Sequence, residues 1–60
     1  FINRATLAQF DSLDGIGPVI AKRIITYREA NGPFVDIADL KKVGGIGAKT
    51  FEQIKNRLSL

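Results

Sequence analysis

Leu-Asp-Gly-Ile-Gly at residues 13–17 and Val-Gly-Gly-Ile-Gly at residues 43–47 are two copies of one pentapeptide, set 30 residues apart. The likeness extends outward from the glycines, because Leu-Ala-Gln-Phe at 7–10 aligns with Ile-Ala-Asp-Leu at 37–40. Self-similarity at a fixed period is the signature of a repeated structural unit. The chain is therefore predicted to consist of two copies of one helix–glycine turn–helix unit.

The first copy carries the signals of two helices. Thr6 stands three residues before Gln9, which is the spacing of a capping box, so a short helix is expected to begin there and to end near residues 13–15. Pro18 suits the first turn of a helix because the N–H that proline lacks would have no partner there. That second helix is expected to run from Pro18 to about Asn31, where a Gly-Pro pair prevents its continuation.

The second copy repeats this plan. Asp36 is expected to cap its first helix, with Asp39 three residues on, where the helix dipole favours an acidic group. The glycine turn follows, and the last helix is expected to begin at Ala48. These boundaries divide the chain into a first hairpin over about residues 6–31, a connector at 32–35 and a second hairpin over about residues 36–59.

Apolar residues recur at helical spacing in each helix, and no stretch alternates with the period of two that is typical of a strand. The chain is therefore predicted to be all-α. Neither unit can bury its apolar stripe alone, so the two are expected to pack face to face about a pseudo-two-fold axis, with both glycine turns on one side. The positions expected to face the core are Leu7, Phe10, Ile16, Ile20, Ala21, Ile24, Ile25, Phe34, Ile37, Leu40, Ile46, Phe51, Ile54 and Leu58.

The glycine turns also indicate a function. Glycine lets another molecule's backbone approach closely, and the unpaired N–H groups at the start of the next helix attract an anion. A single Gly-x-Gly is more often only a tight turn, but two copies in register, each opening a helix, favour phosphate binding. Residues 44–50 lack the glycine that a nucleotide-binding P-loop has directly before its lysine, and neither copy has the third glycine of the dinucleotide-binding pattern.

Composition excludes several classes of function. The chain has 60 residues with neither Cys nor His, which excludes disulfides and the usual zinc sites. Its six carboxylates show no catalytic pairing, so we expect no enzyme activity, no catalytic residue, no metal, no cofactor and no small-molecule substrate. The net charge of +3 is compatible with a polyanionic partner without being diagnostic of one.

The two glycine turns and their flanks resemble paired helix-hairpin-helix motifs. Ile-Asn-Arg-Ala-Thr at 2–6, Tyr-Arg-Glu-Ala-Asn-Gly-Pro-Phe at 27–34 and the segment 37–40 narrow the resemblance to the ComEA-like competence family, over nearly the whole chain. The resemblance implies a SAM-like, compact all-α domain of four to five helices that binds double-stranded DNA, without sequence preference, during DNA uptake by bacteria. Hairpin pairs of this type straddle the minor groove, with one turn on each strand.

The resemblance implies that both hairpins contact phosphates, but unequally. Lys49 and Thr50 would supply a cation and a hydroxyl donor in the second hairpin. Val19 and Ile20 stand at the matching positions of the first, so that hairpin must rely mainly on backbone N–H groups, with Lys22 one turn further on. The implied DNA-binding residues are Gly15, Gly17, Pro18, Val19 and Lys22 in the first hairpin, and Gly45, Gly47, Ala48, Lys49 and Thr50 in the second.

The aromatic residues favour a duplex over a single strand as the partner. Duplex contacts to phosphates position a protein without reading its bases, whereas single strands are held by exposed stacking platforms. The chain has five aromatic residues, and all of them fit core or edge positions better than such a platform: Phe1, Phe10, Tyr27, Phe34 and Phe51.

Other interpretations stay open. A similar tandem hairpin occurs in the transcription accessory protein Tex, so this chain could be a DNA- or RNA-binding accessory domain of a larger transcription or repair protein, or a helical protein-interaction module. Lys22 and Arg23 could equally form a solvated helix face. Because the chain opens at Phe1, we expect it to be part of a longer protein. A competence receptor would hold this domain outside the membrane, anchored through other parts, whereas an accessory domain would be cytoplasmic.

Overall fold

Capping boxes begin the first helix of each unit, as the sequence predicts. The hydroxyl of Thr6 accepts a hydrogen bond from the N–H of Gln9 (3.3 Å), and the Gln9 side chain accepts one from the N–H of Thr6 (2.9 Å). At the start of the second unit the Asp36 side chain accepts from the N–H of Ala38 (2.9 Å), and the Asp39 side chain accepts from the N–H of Asp36 (3.3 Å). Each box satisfies N–H groups that a helix start would otherwise leave unpaired.

Every regular element is helical in the computed structural model, which describes all 60 residues. The predicted all-α class is confirmed, as are the predicted bounds of the longest helix. No helix is long and apolar enough to cross a membrane. The elements are α1 (Leu7–Asp11), α2 (Pro18–Asn31), a 3₁₀-helix (Ile37–Lys42), α3 (Ala48–Ile54) and a terminal 3₁₀ turn (Lys55–Arg57).

The last helix ends earlier than the periodicity predicts, at Ile54 rather than near residue 59. After the terminal 3₁₀ turn the backbone at Leu58 is extended, with φ −110° and ψ 150°. The extended segment pairs with the other end of the chain, where the N–H of Ile2 donates a hydrogen bond of 2.7 Å to the carbonyl of Ser59.

A single core of eleven buried residues, all of them apolar, receives side chains from both units. Ile16 and Ile46, the residues between the paired glycines, are both buried in it, which confirms that they point inward. Four other predicted core positions, Ile20, Ile25, Ile37 and Leu58, are partly buried and pack against this cluster. The buried residues are Ile2, Phe10, Ile16, Ala21, Ile24, Phe34, Leu40, Val43, Ile46, Phe51 and Ile54.

The expectation that Leu7 faces the core is wrong, and Phe1 lies outside the core. The side chain of Leu7 is 43% exposed and that of Phe1 is 78% exposed. Because α1 has only five residues, a single one of its side chains, Phe10, is buried. Ile2 is buried at the amino end instead, and helical periodicity could not reveal it because it precedes every helix.

Two polar side chains fasten the amino-terminal segment to the rest of the fold. The amide group of Asn3 donates to the carbonyl of Phe34 (3.0 Å) and accepts from its N–H (2.7 Å). The guanidinium of Arg28 donates to the carbonyls of Ile2 (2.8 Å) and Ala5 (3.0 Å). These contacts hold the segment against both the connector and α2, and so keep Ile2 in the core.

Replacing Asn3 by Ala should therefore destabilise the domain. The change removes both hydrogen bonds to Phe34 and leaves a half-buried N–H unpaired, which costs about 1–3 kcal/mol. In a domain of this size each kcal/mol lowers Tm by roughly 4–8 °C. Asn56→Ala is the matched control, because Asn56 is exposed and makes no side-chain hydrogen bond. Thermal unfolding followed by circular dichroism would contradict this role of Asn3 if both variants melted at the same temperature.

Candidate nucleic-acid interface

The two glycine turns have the same backbone geometry. In the first, the N–H of Ile16 donates to the carbonyl of Leu13 at 3.1 Å, and in the second the N–H of Ile46 donates to the carbonyl of Val43 at 3.2 Å. The third residue of each turn has a positive φ, which is +81° at Gly15 and +97° at Gly45. This is the position at which a type II turn requires glycine. The fold therefore favours glycine at the first position of each Gly-Ile-Gly, which is Gly15 in one turn and Gly45 in the other.

The second glycine of each pair is not demanded by the fold. Gly17 (φ −98°, ψ −177°) and Gly47 (φ −92°, ψ −177°) have extended backbone that any residue adopts. A Cβ built on either glycine would meet no atom within 4 Å. Substitution of Gly47 would thus not strain the turn, and the absence of a side chain at these two positions has no structural cause within the domain.

These same two glycines are the N-caps of α2 and α3, and neither helix start has a side-chain cap. The first N–H groups of an α-helix have no acceptor within the helix. Two backbone N–H groups, those of Val19 and Ile20, are thus free at the start of α2, where Pro18 has none to offer. At the start of α3 the N–H groups of residues 48–50 are free. Both helix starts can accept an external anion, and α3 presents one more donor.

The two units interlock through the first glycine of each turn. A Cβ on Gly45 would lie 3.0 Å from Cγ1 of Ile20, a contact too close to be relaxed. A Cβ on Gly15 would lie 3.4 Å from Cγ2 of Thr50. Ile20 and Thr50 occupy matching positions of the repeat, so each turn packs against the start of the other unit's second helix. This reciprocal packing realises the pseudo-two-fold arrangement and places both helix starts beside the two turns.

The predicted DNA-binding residues have different surroundings. Thr50 is half-buried where the units interlock, whereas Lys49 is exposed and has no carboxylate within ion-pair distance. Val19 is 63% exposed, although it is apolar. Lys22 lines a shallow groove along the outer face of α2 together with Val19 and Arg23. The other predicted residues are the exposed Gly15, Pro18, Gly45, Gly47 and Ala48 and the half-buried Gly17.

Charge breaks the symmetry of the two turns. Residues 10–21 contain Asp11 and Asp14 and no basic residue, whereas residues 40–51 contain three lysines and no acidic residue. Of these lysines, Lys42 pairs with Asp39 at 3.4 Å, and Lys41 lies over the Phe51 ring, 5.1 Å from its centroid. Charges counted over each half of the chain hide this contrast, which a count around each turn reveals. The surroundings of the second turn are therefore the more favourable for an anion.

Arg23 is a residue of this region that the list of predicted contacts missed. Its guanidinium belongs to α2 of the first unit, yet it donates a long hydrogen bond of 3.4 Å to the carbonyl of Gly44, in the second turn. Nothing in the sequence signals this contact, because it joins residues 21 positions apart.

The acidic residues are dispersed, and no three of them come close enough together to hold a metal ion.

A family model described as the helix-hairpin-helix motif matches residues 2–59. The chain is 49% identical over 59 residues to ComE operon protein 1 of Bacillus subtilis, covering 98% of this chain and 29% of that protein. It is 41% identical over 54 residues to the human endonuclease/exonuclease/phosphatase family domain-containing protein 1, covering 90% of this chain and 10% of that protein. It is 51% identical over 39 residues to S1 RNA-binding domain-containing protein 1 of Pongo abelii, covering 65% of this chain and 4% of that protein. The chain thus spans less than a third of each relative.

The same substitution should have opposite effects at the two glycines of the second turn. Gly45→Ser forces a side chain into a positive-φ position against Ile20 and should destabilise the domain by about 1–3 kcal/mol. Gly47→Ser places a favoured N-cap residue in relaxed backbone and should leave the domain unchanged or stabilise it, by roughly a few tenths of a kcal/mol. Urea unfolding of both variants measures the difference. Equal losses at both positions would show that the second glycine also serves the fold.

Proposed function

The chain belongs to the helix-hairpin-helix family and its domain is ComEA-like, and from that premise we propose that it binds double-stranded DNA through the backbone phosphates without preference for base sequence. The observation that carries the proposal is the presence of Gly17 and Gly47 at two helix starts where the fold accepts any residue. A bare, uncapped helix start gives a phosphate oxygen access to backbone N–H groups.

The way this chain caps its other helices supports the proposal. The helices that lead into the turns both begin with complete capping boxes. The helices that leave the turns begin with glycine and have no side-chain cap, although a serine or aspartate there would stabilise the domain by roughly a few tenths of a kcal/mol. Such a cap would occupy the very N–H groups that a phosphate needs. The forgone stability is explained if those N–H groups serve an external anion.

The arrangement of the two turns suits a duplex. Two matched anion sites related by a pseudo-two-fold axis can contact one phosphate on each strand, since the strands of a duplex are themselves related by two-fold symmetry. The resemblance supports contacts across the minor groove. Backbone N–H groups and the point charge of Lys49 recognise phosphate alone, so the contacts position the domain without reading bases.

Aromatic side chains support a duplex rather than a single strand as the partner. Phe10, Phe34 and Phe51 are buried, and the half-buried ring of Tyr27 stacks on Phe34 with centroids 5.5 Å apart. Phe1 alone is freely exposed. Binding of single strands generally uses several exposed rings on which successive bases stack.

The relatives support two candidate roles for the parent protein. Likeness to the Bacillus subtilis ComE operon protein supports a DNA-receptor domain in a bacterial competence, or DNA-uptake, protein. Likeness to the S1 RNA-binding domain-containing protein supports a second candidate, a nucleic-acid-binding accessory domain of a larger protein. Titration with DNA and RNA duplexes of equal length separates the two, because a preference for the RNA duplex would favour the accessory role.

Gly47→Ser tests directly whether the uncapped start of α3 binds phosphate. The serine hydroxyl would accept a hydrogen bond from a first-turn N–H and its side chain would stand in the phosphate's approach, so duplex binding should weaken while stability is kept. We expect an affinity loss of roughly tenfold, which corresponds to the loss of about one charge-assisted hydrogen bond. Fluorescence anisotropy with a labelled duplex measures it. Unchanged affinity would show that the free helix start is not used.

Lys49→Ala tests the cation of the second hairpin. If the domain neutralises three to four phosphates, log K should fall with log salt at a slope of about −3, and the isolated domain should bind no tighter than micromolar at physiological salt. Loss of Lys49 should weaken binding roughly three- to tenfold for every duplex sequence and bring the slope to about −2. Lys55→Ala removes the same charge from a lysine paired with Glu52, and should change little. Equal effects of the two variants would leave Lys49 with no specific role.

Val19→Lys tests the weakness of the first hairpin. The side chain of Val19 is exposed, so the substitution supplies the cation found at the matching position of the second hairpin without disturbing the core. Duplex affinity should rise roughly three- to tenfold and the salt slope should steepen by about one. Val35→Lys is the control, since Val35 is 84% exposed in the connector. A similar gain from both substitutions would mean that only total charge matters.

A further inference from the structure

We propose that Arg23, although it belongs to the first unit, is a phosphate-binding residue of the second hairpin. The inference rests on the proposed binding of DNA phosphates and adds a residue that the hairpin motif itself does not contain. It makes the stronger phosphate site a composite of both units.

The position of the Arg23 guanidinium is the first support. One of its nitrogens, Nη1, lies 3.4 Å from the carbonyl oxygen of Gly44 and 3.4 Å from where a Cβ of Gly45 would stand. The group is therefore held against the second turn while its side chain remains exposed. A guanidinium carries five N–H donors, so one long bond to a carbonyl leaves the others available. Their planar, forked geometry matches two oxygens of a phosphate.

The absence of any competing anion is the second support. No carboxylate lies within ion-pair distance of Arg23. Arg28, on the same helix, differs because its guanidinium is half-buried and donates to two backbone carbonyls. Arg28 thus serves the fold, whereas the charge of Arg23 is not neutralised by anything in the domain.

The repeat gives a third, independent support. Arg23 and Gln53 occupy matching positions, and each reaches the turn of the other unit, since a Cβ on Gly15 would lie 3.3 Å from Oε1 of Gln53. The second turn therefore receives a cation across the pseudo-two-fold axis, while the first receives a neutral amide. The second turn is also the one that carries a cation at the preceding pair of matching positions, where it has Lys49 and the first turn has Val19. Lys49 from its own unit and Arg23 from the other would hold one phosphate at the second turn.

The experiment compares substitutions at these matching positions. Arg23→Gln makes the two positions identical and should weaken duplex binding roughly three- to tenfold, with a salt slope shallower by about one. Arg57→Gln removes the same charge from an exposed residue beside the amino-terminal segment, and should change affinity less than about twofold. Gln53→Arg places the cation at the first turn and should tighten binding roughly threefold or more. A purely structural Arg23 predicts no such gain.

Amide chemical shifts locate the effect and separate the possible failures. On titration of the parent with duplex, the N–H signals of residues 45–50 should move most, and Arg23→Gln should reduce those shifts while leaving the shifts of residues 15–20 unchanged. Equal effects of Arg23→Gln and Arg57→Gln, in a parent that binds duplex and is weakened by Lys49→Ala, would overturn the role of Arg23 alone. If Arg23→Gln failed to fold, the absence of a gain from Gln53→Arg would overturn it. A parent that binds no duplex would overturn both proposals.

Discussion

The contact between Gly45 and Ile20 is the constraint on which the rest of the structure depends, together with its counterpart between Gly15 and Thr50. Only glycine tolerates the positive φ, and only a missing Cβ lets the neighbouring unit come so close. The two contacts fix where the start of α2 lies relative to the second turn, and where the start of α3 lies relative to the first. The packing between units thus sets how the two proposed anion sites lie relative to each other.

On the proposed function, the first glycine of each Gly-Ile-Gly serves stability and the second serves binding. The first glycine of each pair satisfies a turn and an interlock, so its replacement is costly to the fold. The second glycine stands in relaxed, open backbone where a capping residue would be better for the helix. Natural proteins forgo stability of this size at functional sites. On the proposed function, each Gly-Ile-Gly tripeptide contains two glycines that are required for different physical reasons.

Local signals made much of the fold predictable, and long-range contacts account for what was missed. Capping at Thr6 and Asp36 and the start of α2 at Pro18 depend on neighbours a few residues away, so spacing alone revealed them. The pairing of Asn3 with Phe34 spans 31 positions and that of Arg23 with Gly44 spans 21, and neither has a local signature. The early end of the last helix has no local signature either, and beyond it the extended backbone pairs with the amino end of the chain. The sequence repeat predicted that the two turns are related by a pseudo-two-fold axis. It did not predict that Arg23 and Gln53 reach across that axis to the turn of the other unit.

Symmetric backbone and asymmetric charge together determine how such a domain would hold a duplex. The backbone repeat gives two helix starts at a fixed separation, which sets where two phosphates can bind. The side chains then weight these positions unequally, with acidic residues around the first turn and lysines around the second. Coulomb interactions with the strongly charged strand would be attractive at one turn and weak at the other. The second turn would therefore bind its phosphate more strongly, and the first would orient the domain across the groove through its N–H groups. Because amides and point charges at these positions would contact only phosphates, this unequal division would strengthen DNA binding without introducing any preference for base sequence.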